Sequence, residues 1–316
     1  MSLTPLMLSA LANSAVPGFQ AVSAQQTSSA ELDSALVHDV DGEAWLVELP
    51  TSDAEQERFM QRSAAVNALT EGLRQRLDFQ VPRIVGTTDV QGRTLSVSHY
   101  LPGTMARLKS VTPTLAAHLG VALAAIHELP TSTVLDRGRP THSSLDELRD
   151  AAGIVDRGAA TGLLPQSLLR RWETACEDRG LWQFEPTIIH GLMQLGRFLV
   201  ESDTVVGITG WRSFRIADPA RDFAWLTTPA SAGFAPALTT AYRSARPGAD
   251  RWFLQRARFW AELDIARWLL HGIDSANDTI TRDATDMLQA LNDRVSGDLE
   301  TTITEPISQQ KHPLQN

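Results

Sequence analysis

The stretch Ile189-His190-Gly191-Leu192-Met193-Gln194-Leu195-Gly196-Arg197-Phe198-Leu199-Val200 decides the fold of this chain. Its pattern predicts a short hydrophobic strand, a loop with two glycines and a second strand. Two further segments follow it in order, Gly207-Ile208-Thr209-Gly210-Trp211 and Asp218-Pro219-Ala220-Arg221-Asp222. The order and spacing of the three segments carry more information than any one of them alone.

These segments resemble the catalytic core of the aminoglycoside and macrolide phosphotransferases, which are small-molecule kinases with a protein-kinase-like fold. The family pattern is His-Gly-Asp-Leu-His-Pro-Gly-Asn, then Ile-Asp-Trp, then Asp-Pro-x-x-Asp. In the family, the framework residues of this pattern mostly brace the catalytic loop and the segment after it. The resemblance covers about residues 16–270 and favours the family over an ordinary strand followed by a loop. The framework residues that match are His190, Gly191, Gly196, Trp211, Asp218, Pro219 and Asp222.

The residues that carry out the chemistry in the family are missing. Leu192 stands where the resemblance places the catalytic Asp, Arg197 where it places the metal-binding Asn, and Gly210 where it places the main magnesium-binding Asp. Leucine cannot accept a proton, and the loss of a general base costs roughly 10²–10⁴-fold in rate. Magnesium prefers hard oxygen ligands, whereas an arginine repels a cation and a glycine has no side chain. The resemblance therefore implies a kinase fold without an intact catalytic or metal site.

The phosphate-anchoring position of the family also differs. The resemblance places a cation near the end of the third strand, where this chain has Glu48, and a carboxylate partner near Ala65, which cannot supply one. Arg197 and Glu48 could pair across the empty cleft and hold the lobes closed without nucleotide, or both could be solvent-exposed charges. The loop 25–29 has no glycine that would let backbone N–H groups close on phosphates.

Composition limits the class of protein. The chain has 316 residues, 43% of them apolar, which suits a globular protein with two lobes and a substantial core. Its net charge of −9 argues against broad electrostatic binding to nucleic acid or to an anionic membrane. The single cysteine, Cys176, excludes an intrachain disulfide and is expected to be a buried small hydrophobe. Segment 1–16 lacks Lys and Arg and predicts a short helix on the first lobe, so a cytoplasmic location follows by default.

The pattern of residues predicts an α+β, bilobal, protein-kinase-like fold. A small N-lobe with an antiparallel sheet is expected over residues 1–101, with strands at 35–40 and 43–49 around Asp41-Gly42 and at 81–88 and 93–100. Ser52 begins a capping pattern, and the helix after it is expected to run to about Leu77. A mostly helical C-lobe with the degenerate catalytic loop is expected over 102–296, and a disordered tail over 297–316. Helices are predicted at 115–126, 144–157, 165–178, 235–243, 251–270 and 280–295, and strands at 187–189, 198–201 and 205–209.

Several other residues have two interpretations. Asp218 and Asp222 could be replacement metal ligands, but capping and bracing of the helix that begins near them is favoured. Asp203 is interpreted as a turn residue. Arginine and tryptophan alternate along 251–268 and could stack on bases, but a helix with apolar residues toward the core and arginines toward water is favoured. No hydrolase or zinc-enzyme signature occurs in the sequence.

The sequence thus predicts a catalytically inactive pseudokinase that acts by binding an unknown small molecule or protein partner. No catalytic residue, metal or cofactor is expected to be intact or required. One alternative is an active ATP-dependent kinase of a small hydroxylated molecule that uses displaced residues together with ATP and Mg²⁺. A second alternative is a nucleotide-independent sensor of a small molecule. Nucleotide binding separates the active kinase from the other two hypotheses.

Overall fold

A computed structural model of the chain describes residues 3–27, 31–296 and 303. These residues form two compact units. The first belongs to Met1–Ala122, Ser132–Arg139 and His190–Phe214, and the second to Leu123–Thr131, Pro140–Ile189 and Arg215–Asn316. The expected lobe boundary at residue 101 falls inside the first unit and stays a prediction, because compact units and lobes need not share limits. The tail expected over 297–316 lies, except for Ile303, outside the described residues.

An antiparallel five-stranded sheet forms the body of the first unit. Its strand order is β1-β2-β3-β5-β4, so β3 lies at the centre with β2 and β5 as neighbours. The turn between β2 and β3 is the one that Asp41-Gly42 predicts, and Gly42 adopts a φ of +83° there. The strands are β1 Ala21–Gln26, β2 Leu32–Asp39, β3 Ala44–Pro50, β4 Ile84–Val90 and β5 Arg93–His99.

The N-terminal helix packs on this sheet. Helix α1, Pro5–Ala15, begins with a proline in its first turn and buries Leu8 and Ala12. These side chains belong to one apolar cluster with Val47 of β3 and Val97 of β5. The short helix predicted within residues 1–16 is therefore confirmed, and its apolar residues form part of the core of the first unit.

The helix after β3 is shorter than predicted. Helix α2, Asp53–Ala68, begins as expected, because the Ser52 hydroxyl accepts a hydrogen bond from the backbone N–H of Glu55. The expected continuation to Leu77 is wrong. The Thr70 hydroxyl accepts from the backbone N–H of Leu73 and starts a separate short helix, α3 Glu71–Arg74. A second capping residue therefore redirects the chain before β4.

Helices dominate the chain after β5, as predicted. The further helices are α4 Pro113–His127, α5 Ser132–Leu135, α6 Ser144–Ala160, α7 Gln166–Glu177, α8 Ala235–Ala245, α9 Phe253–Asp274 and α10 Asp278–Ser296. The further strands are β6 Thr104–Met105, β7 Thr187–Ile189, β8 Phe198–Glu201, β9 Thr204–Ile208 and β10 Arg215–Ala217. None of the helices in the described part of the chain is long and apolar enough to span a membrane.

Two small sheets position the segments that decide the fold. In the first unit, β6, β8 and β9 form an antiparallel sheet, and the β8–β9 turn has Asp203 at a φ of +63°, which agrees with its interpretation as a turn residue. In the second unit, β7 pairs antiparallel with β10. Aromatic side chains fill the core of the second unit around a 3₁₀ helix, Pro219–Thr227, and α9. Cys176 on α7 is half-buried rather than fully buried, and burial raises the pKa of its thiol to about 12.

Candidate functional site

A cleft of about 530 Å³ lies within the first unit. Its walls come from β2, β3, β5, α2 and the loop and hairpin segment 192–212, and every lining residue belongs to that unit. Four of the positions at which the sequence departs from the family line this cleft: Glu48, Leu192, Arg197 and Gly210. The structure therefore brings together the residues that sequence comparison singled out for lost chemistry.

His190 and Trp211 hold the loop that carries Leu192. His190 is fully buried, its Nε2 lies 2.8 Å from the carbonyl oxygen of Thr209, and its Nδ1 accepts from the backbone N–H of Leu192 at 3.3 Å. Gly191 adopts a φ of +82°, which a residue with a side chain rarely adopts. The indole of Trp211 packs edge-on against the His190 ring and donates to the carbonyl of Ile208. The loop is thus firmly held, but it presents an aliphatic side chain at the position of the base.

Gly196 lies in a 3₁₀ turn, Leu195–Arg197, that leads into β8. An added Cβ at Gly196 would meet no neighbouring atom within 4 Å, in contrast to Gly210. The backbone N–H of Arg197 donates to Gln194 in this turn. The turn aims Arg197, the last residue before β8, at the cleft that its side chain lines.

Arg197 occupies the space in which an aspartate at position 210 would lie. Phe198 pairs with Ile208 in the β8–β9 hairpin, so the residues that flank this pair, Arg197 and Thr209, are bonded through backbone atoms at 2.9 Å. Gly210 follows with a φ of +88°. A Cβ built there would stand 2.8 Å from both Cδ and Nε of Arg197, closer than non-bonded atoms approach. The Arg197 side chain therefore has room at this place only because residue 210 is a glycine.

Glu48 is paired with a cation on α2. Its Oε2 accepts a hydrogen bond from Nη2 of Arg62 at 2.9 Å, and its side chain is only 14% exposed. Ala65, near which the resemblance places a carboxylate partner, is fully buried in the core, whereas Arg62, one turn earlier, faces the cleft. The strand and helix thus keep an ion pair, but the acid lies on the strand and the base on the helix. The sequence did not point to Arg62, because the resemblance places the partner position of the helix near residue 65.

The proposed pair of Arg197 with Glu48 is wrong, and so is the alternative of two exposed charges. Glu48 bonds to Arg62 instead. The Nε of Arg197 is buried and has no hydrogen-bond partner in the described part of the chain. Of the segment 25–29, which was expected to be a loop without glycine, Gln25 and Gln26 belong to β1, and residues 28 and 29 lie outside the described residues.

Asp218 lies in the second unit and is bonded entirely to protein atoms. It caps the 3₁₀ helix through the backbone N–H of Ala220, and its carboxylate accepts from Nε and Nη2 of Arg256 at 2.8 and 3.1 Å. The Trp260 indole donates to the same carboxylate at 2.8 Å. Arg256 also bonds to Asp250 and to the carbonyl of Leu181, so each of its five N–H groups has an acceptor. These contacts match bracing and leave no room for a metal role.

The burial of Arg256 corrects one expectation. The arginines of α9 were expected to face water, but Arg256 is fully buried and Glu262 is 5% exposed. Burial lowers the pKa of the Arg256 guanidinium, but the opposing charges of Asp218 and Asp250 outweigh this effect and raise it. The periodicity of α9 could not show this, because a buried arginine depends on carboxylates that are distant in sequence.

Asp222 takes part in a second buried chain of hydrogen bonds. Nε2 of His127 lies 3.3 Å from Oδ2 of Asp222, and Nδ1 lies 2.8 Å from the hydroxyl of Tyr242. Arg246 donates to that hydroxyl at 3.0 Å, so the hydroxyl hydrogen is available to Nδ1. Burial lowers the pKa of His127 more than Asp222 raises it. A neutral imidazole with its proton on Nε2 satisfies every partner in this chain.

Comparison with known proteins defines the class. The pattern of the phosphotransferase enzyme family (APH) matches residues 24–259, and the chain belongs to this family. The chain is similar in fold to macrolide 2'-phosphotransferase MphH from Brachybacterium faecium, with a TM-score of 0.73, 18% identity and coverage of 90% of this chain and 98% of that chain. The predicted α+β kinase-like fold, with an antiparallel sheet in the N-terminal region and a helical C-terminal part, is therefore confirmed.

Two further solved structures have the same fold. A macrolide 2'-phosphotransferase type I has a TM-score of 0.70 and 20% identity, with coverage of 91% of this chain and 98% of that chain. The GDP and kanamycin complex of APH(2")-IIia has a TM-score of 0.70 and 16% identity, with coverage of 93% and 100%. No curated protein matches the chain.

The residues in the cleft do not fit the magnesium chemistry that the family implies. Magnesium requires oxygen ligands, but the positions expected to supply them hold a guanidinium that fills the space above Gly210. The described residues contain no group of three or more His, Cys, Asp or Glu side chains that could hold a metal.

Proposed function

We propose that this chain is a catalytically inactive member of the phosphotransferase family, a pseudokinase that acts by binding a small molecule or a protein partner. One observation carries the proposal: the Arg197 side chain fills the space that a metal-binding carboxylate at position 210 would need. Phosphoryl transfer depends on metal ions that neutralise charge on the phosphates and on a group that orients the acceptor hydroxyl. A guanidinium over Gly210 and an aliphatic Leu192 supply neither.

The test is a search for phosphate transfer. Purified protein is incubated with ATP or GTP, with Mg²⁺ or Mn²⁺, and with a panel of macrolides and aminoglycosides, and the antibiotics are examined by mass spectrometry. The expected result is no phosphorylated product above that of a mock preparation from cells without the chain. Product that depends on the chain and on the metal would overturn the proposal.

One observation favours the alternative of an active kinase with displaced residues. Arg62 places a cation in the cleft beside Glu48, so a phosphate-anchoring charge is present although it lies on the helix instead of the strand. The same turnover assay with Arg62→Gln separates the two hypotheses. Activity that Arg62→Gln abolishes would support the displaced-residue kinase, whereas no activity in either protein supports the pseudokinase.

The sensor hypothesis remains a form of the same proposal, in which the partner is a small molecule. We also propose a cytoplasmic location, and the net charge of −9 supports it only in that it disfavours binding to an anionic membrane. Cell fractionation with an antibody to the chain tests the location. Recovery with membranes would contradict it.

A further inference from the structure

We propose that the cleft of the first unit binds the anionic group of a small organic ligand, a phosphate ester or a carboxylate, directly on the guanidinium of Arg197 and without a divalent metal. This inference rests on the proposed function, because it takes the metal site of the family to be lost. It goes further by naming the chemical class of the ligand and the residue that recognises it.

The first argument is the unsatisfied donor on Arg197. Its Nε is buried and has no acceptor in the described part of the chain. Buried donors in folded proteins are nearly always bonded, and a charged one without an acceptor is costly. The Nε itself has no contact with solvent, but Arg197 as a whole is half-buried and lines the cleft. An anionic ligand in the cleft would therefore meet the guanidinium and supply a counter-charge next to this donor.

The second argument is the net charge of the side chains that line the cleft. Four arginines line it: Arg58, Arg62, Arg197 and Arg212. Arg58 is paired with Glu55, and Arg62 with Glu48. Neither Arg197 nor Arg212 has a carboxylate partner within the described ranges 3–27 and 31–296. Glu31 also lines the cleft, so four arginines face three glutamates there, and the cleft carries one net positive charge.

The third argument is geometric. A guanidinium is planar and presents parallel N–H donors that match the two oxygens of a carboxylate or a phosphate. The Cδ, Nε and Cζ atoms of Arg197 lie over Gly210, so the two terminal amino groups of the guanidinium are the donors left to bind an anion. A cation at this position repels a divalent metal and attracts an anion. The anion would therefore bind directly, where active kinases interpose a metal.

The walls of the cleft define the remainder of the ligand. Leucines at positions 46, 101, 192 and 199 line it together with Tyr100 and Met105. A volume of about 530 Å³ falls in the range of small-molecule pockets, which is roughly 300–1,000 Å³. A ligand that fits these walls has an apolar or aromatic body attached to its anionic group.

The test is calorimetric titration in the presence of EDTA. The probes are AMP for a phosphate ester, 1-naphthoate for a carboxylate, and inorganic phosphate for the anionic group alone. We expect AMP or 1-naphthoate to bind the wild-type protein, and added Mg²⁺ to leave the affinity unchanged. Whichever probe binds identifies the source of the anion.

Variants assign the binding to Arg197. Arg197→Leu is expected to weaken the bound probe at least about tenfold, because it removes the charge-assisted bonds. Arg197→Lys keeps the charge, loses the planar fork and should lie between the two. The matched control is Arg58→Leu, which removes a cleft arginine that is already paired and should bind within about twofold of wild type. If Arg197→Leu fails to fold, the lysine variant carries the comparison.

Several outcomes would overturn the inference. They are no binding of any probe up to millimolar concentration, binding that requires Mg²⁺, wild-type affinity in both Arg197 variants, and an equal loss in Arg58→Leu. The readout is separate from that of the proposed function. Phosphate transfer detected with metal would refute the pseudokinase, whereas absence of metal-free binding in an inactive protein would refute the anion site alone.

Discussion

The cleft in the first unit and the Asp218 network in the second unit differ in how their motif residues are bonded. In the network, every N–H of the Arg256 guanidinium reaches an acceptor on Asp218, Asp250 or Leu181. In the cleft, the Nε of Arg197 has no acceptor, and Leu192 offers only carbon atoms. The network contains Asp218, which matches the family pattern, and the cleft contains Leu192, Arg197 and Gly210, which differ from it.

The difference has a physical explanation. A residue bonded to several buried protein groups cannot change alone, because its partners would be left buried and unsatisfied. A residue whose only partner is a nucleotide or a metal can change without leaving a buried protein group unsatisfied, if the protein does not use that nucleotide or metal. The kept residues are thus the ones whose replacement costs folding free energy. The following predictions test this account in order of expected effect.

The largest effect is expected from Arg256→Met. This change leaves the carboxylates of Asp218 and Asp250 without their shared cation in a buried environment, and removal of one partner of a buried pair costs about 3–5 kcal/mol. The free energy of unfolding is measured by urea denaturation. The control is Arg251→Met, an exposed arginine of the same segment, which should change stability by less than about 0.5 kcal/mol. A loss below about 1 kcal/mol in Arg256→Met would contradict the view that the Asp218 network is kept for its contribution to folding.

The second effect concerns Gly210→Asp, which restores the family's residue in the cleft. The new Cβ would stand 2.8 Å from Arg197, and overpacking of this kind destabilises by about 1–3 kcal/mol. The double variant Gly210→Asp/Arg197→Asn removes the clash and should recover the part of the loss that the clash causes, whereas the strain of a side chain at a φ of +88° remains. Urea denaturation of the two single variants and the double variant gives the interaction free energy between residues 197 and 210. Simple additivity of the single effects would show that Arg197 does not fill the space of residue 210.

The third effect is a pH dependence that belongs to the second unit. Burial lowers the pKa of His127 in the folded protein, so the unfolded chain binds a proton first as the pH falls. Stability from the neutral imidazole is therefore fully present above the unfolded value of about 6.5 and is lost below it, by at most about 1.4 kcal/mol per pH unit. His127→Gln should flatten this slope in denaturation curves between neutral and mildly acidic pH.

A matched control keeps this pH prediction specific. His118 is exposed and lies on α4, so His118→Gln should leave the slope of the wild-type protein in place. An unchanged slope in His127→Gln would mean that folding does not change the pKa of His127, and a steeper slope would mean that the imidazole is charged in the folded protein. The Asp222 chain would then contain an ion pair rather than the neutral hydrogen-bonded chain described above.

Local sequence patterns predicted most of the fold. Asp41-Gly42 gave the first hairpin, Ser52 gave the start of α2, and the apolar spacing from Leu115 gave α4. The end of α2 was missed, because the cap at Thr70 competes with a helical pattern that continues beyond it. Local rules predict where a helix starts better than which of two acceptable stops the chain uses.

The candidate site was predictable only in part. Motif positions brought Leu192, Arg197 and Gly210 to attention, and the hairpin places them in one cleft. The partners could not be predicted, because Arg62 with Glu48 and Arg256 with Asp218 join residues 14 and 38 positions apart. Such pairs depend on which helix face meets which strand. A sequence pattern that treats arginine as a surface residue assigns these side chains to water.

The smallest effect is expected for the ion pair between Glu48 on β3 and Arg62 on α2. The resemblance implies the opposite arrangement in the family, with the cation on the strand and the carboxylate on the helix. Glu48 and Arg62 are partly exposed at 14% and 33%, and pairs of this kind contribute about 0–1 kcal/mol. Glu48→Gln and Arg62→Gln should therefore each change the free energy of unfolding little, and their double variant should give a coupling below about 1 kcal/mol. The exchange Glu48→Arg/Arg62→Glu should retain wild-type stability, because either orientation makes the same pair.

A coupling near the 3–5 kcal/mol expected for Arg256 would mean that the cleft, too, is held by its protein contacts. In that case the two regions would differ in residue identity and not in the physical reason for which their residues are kept.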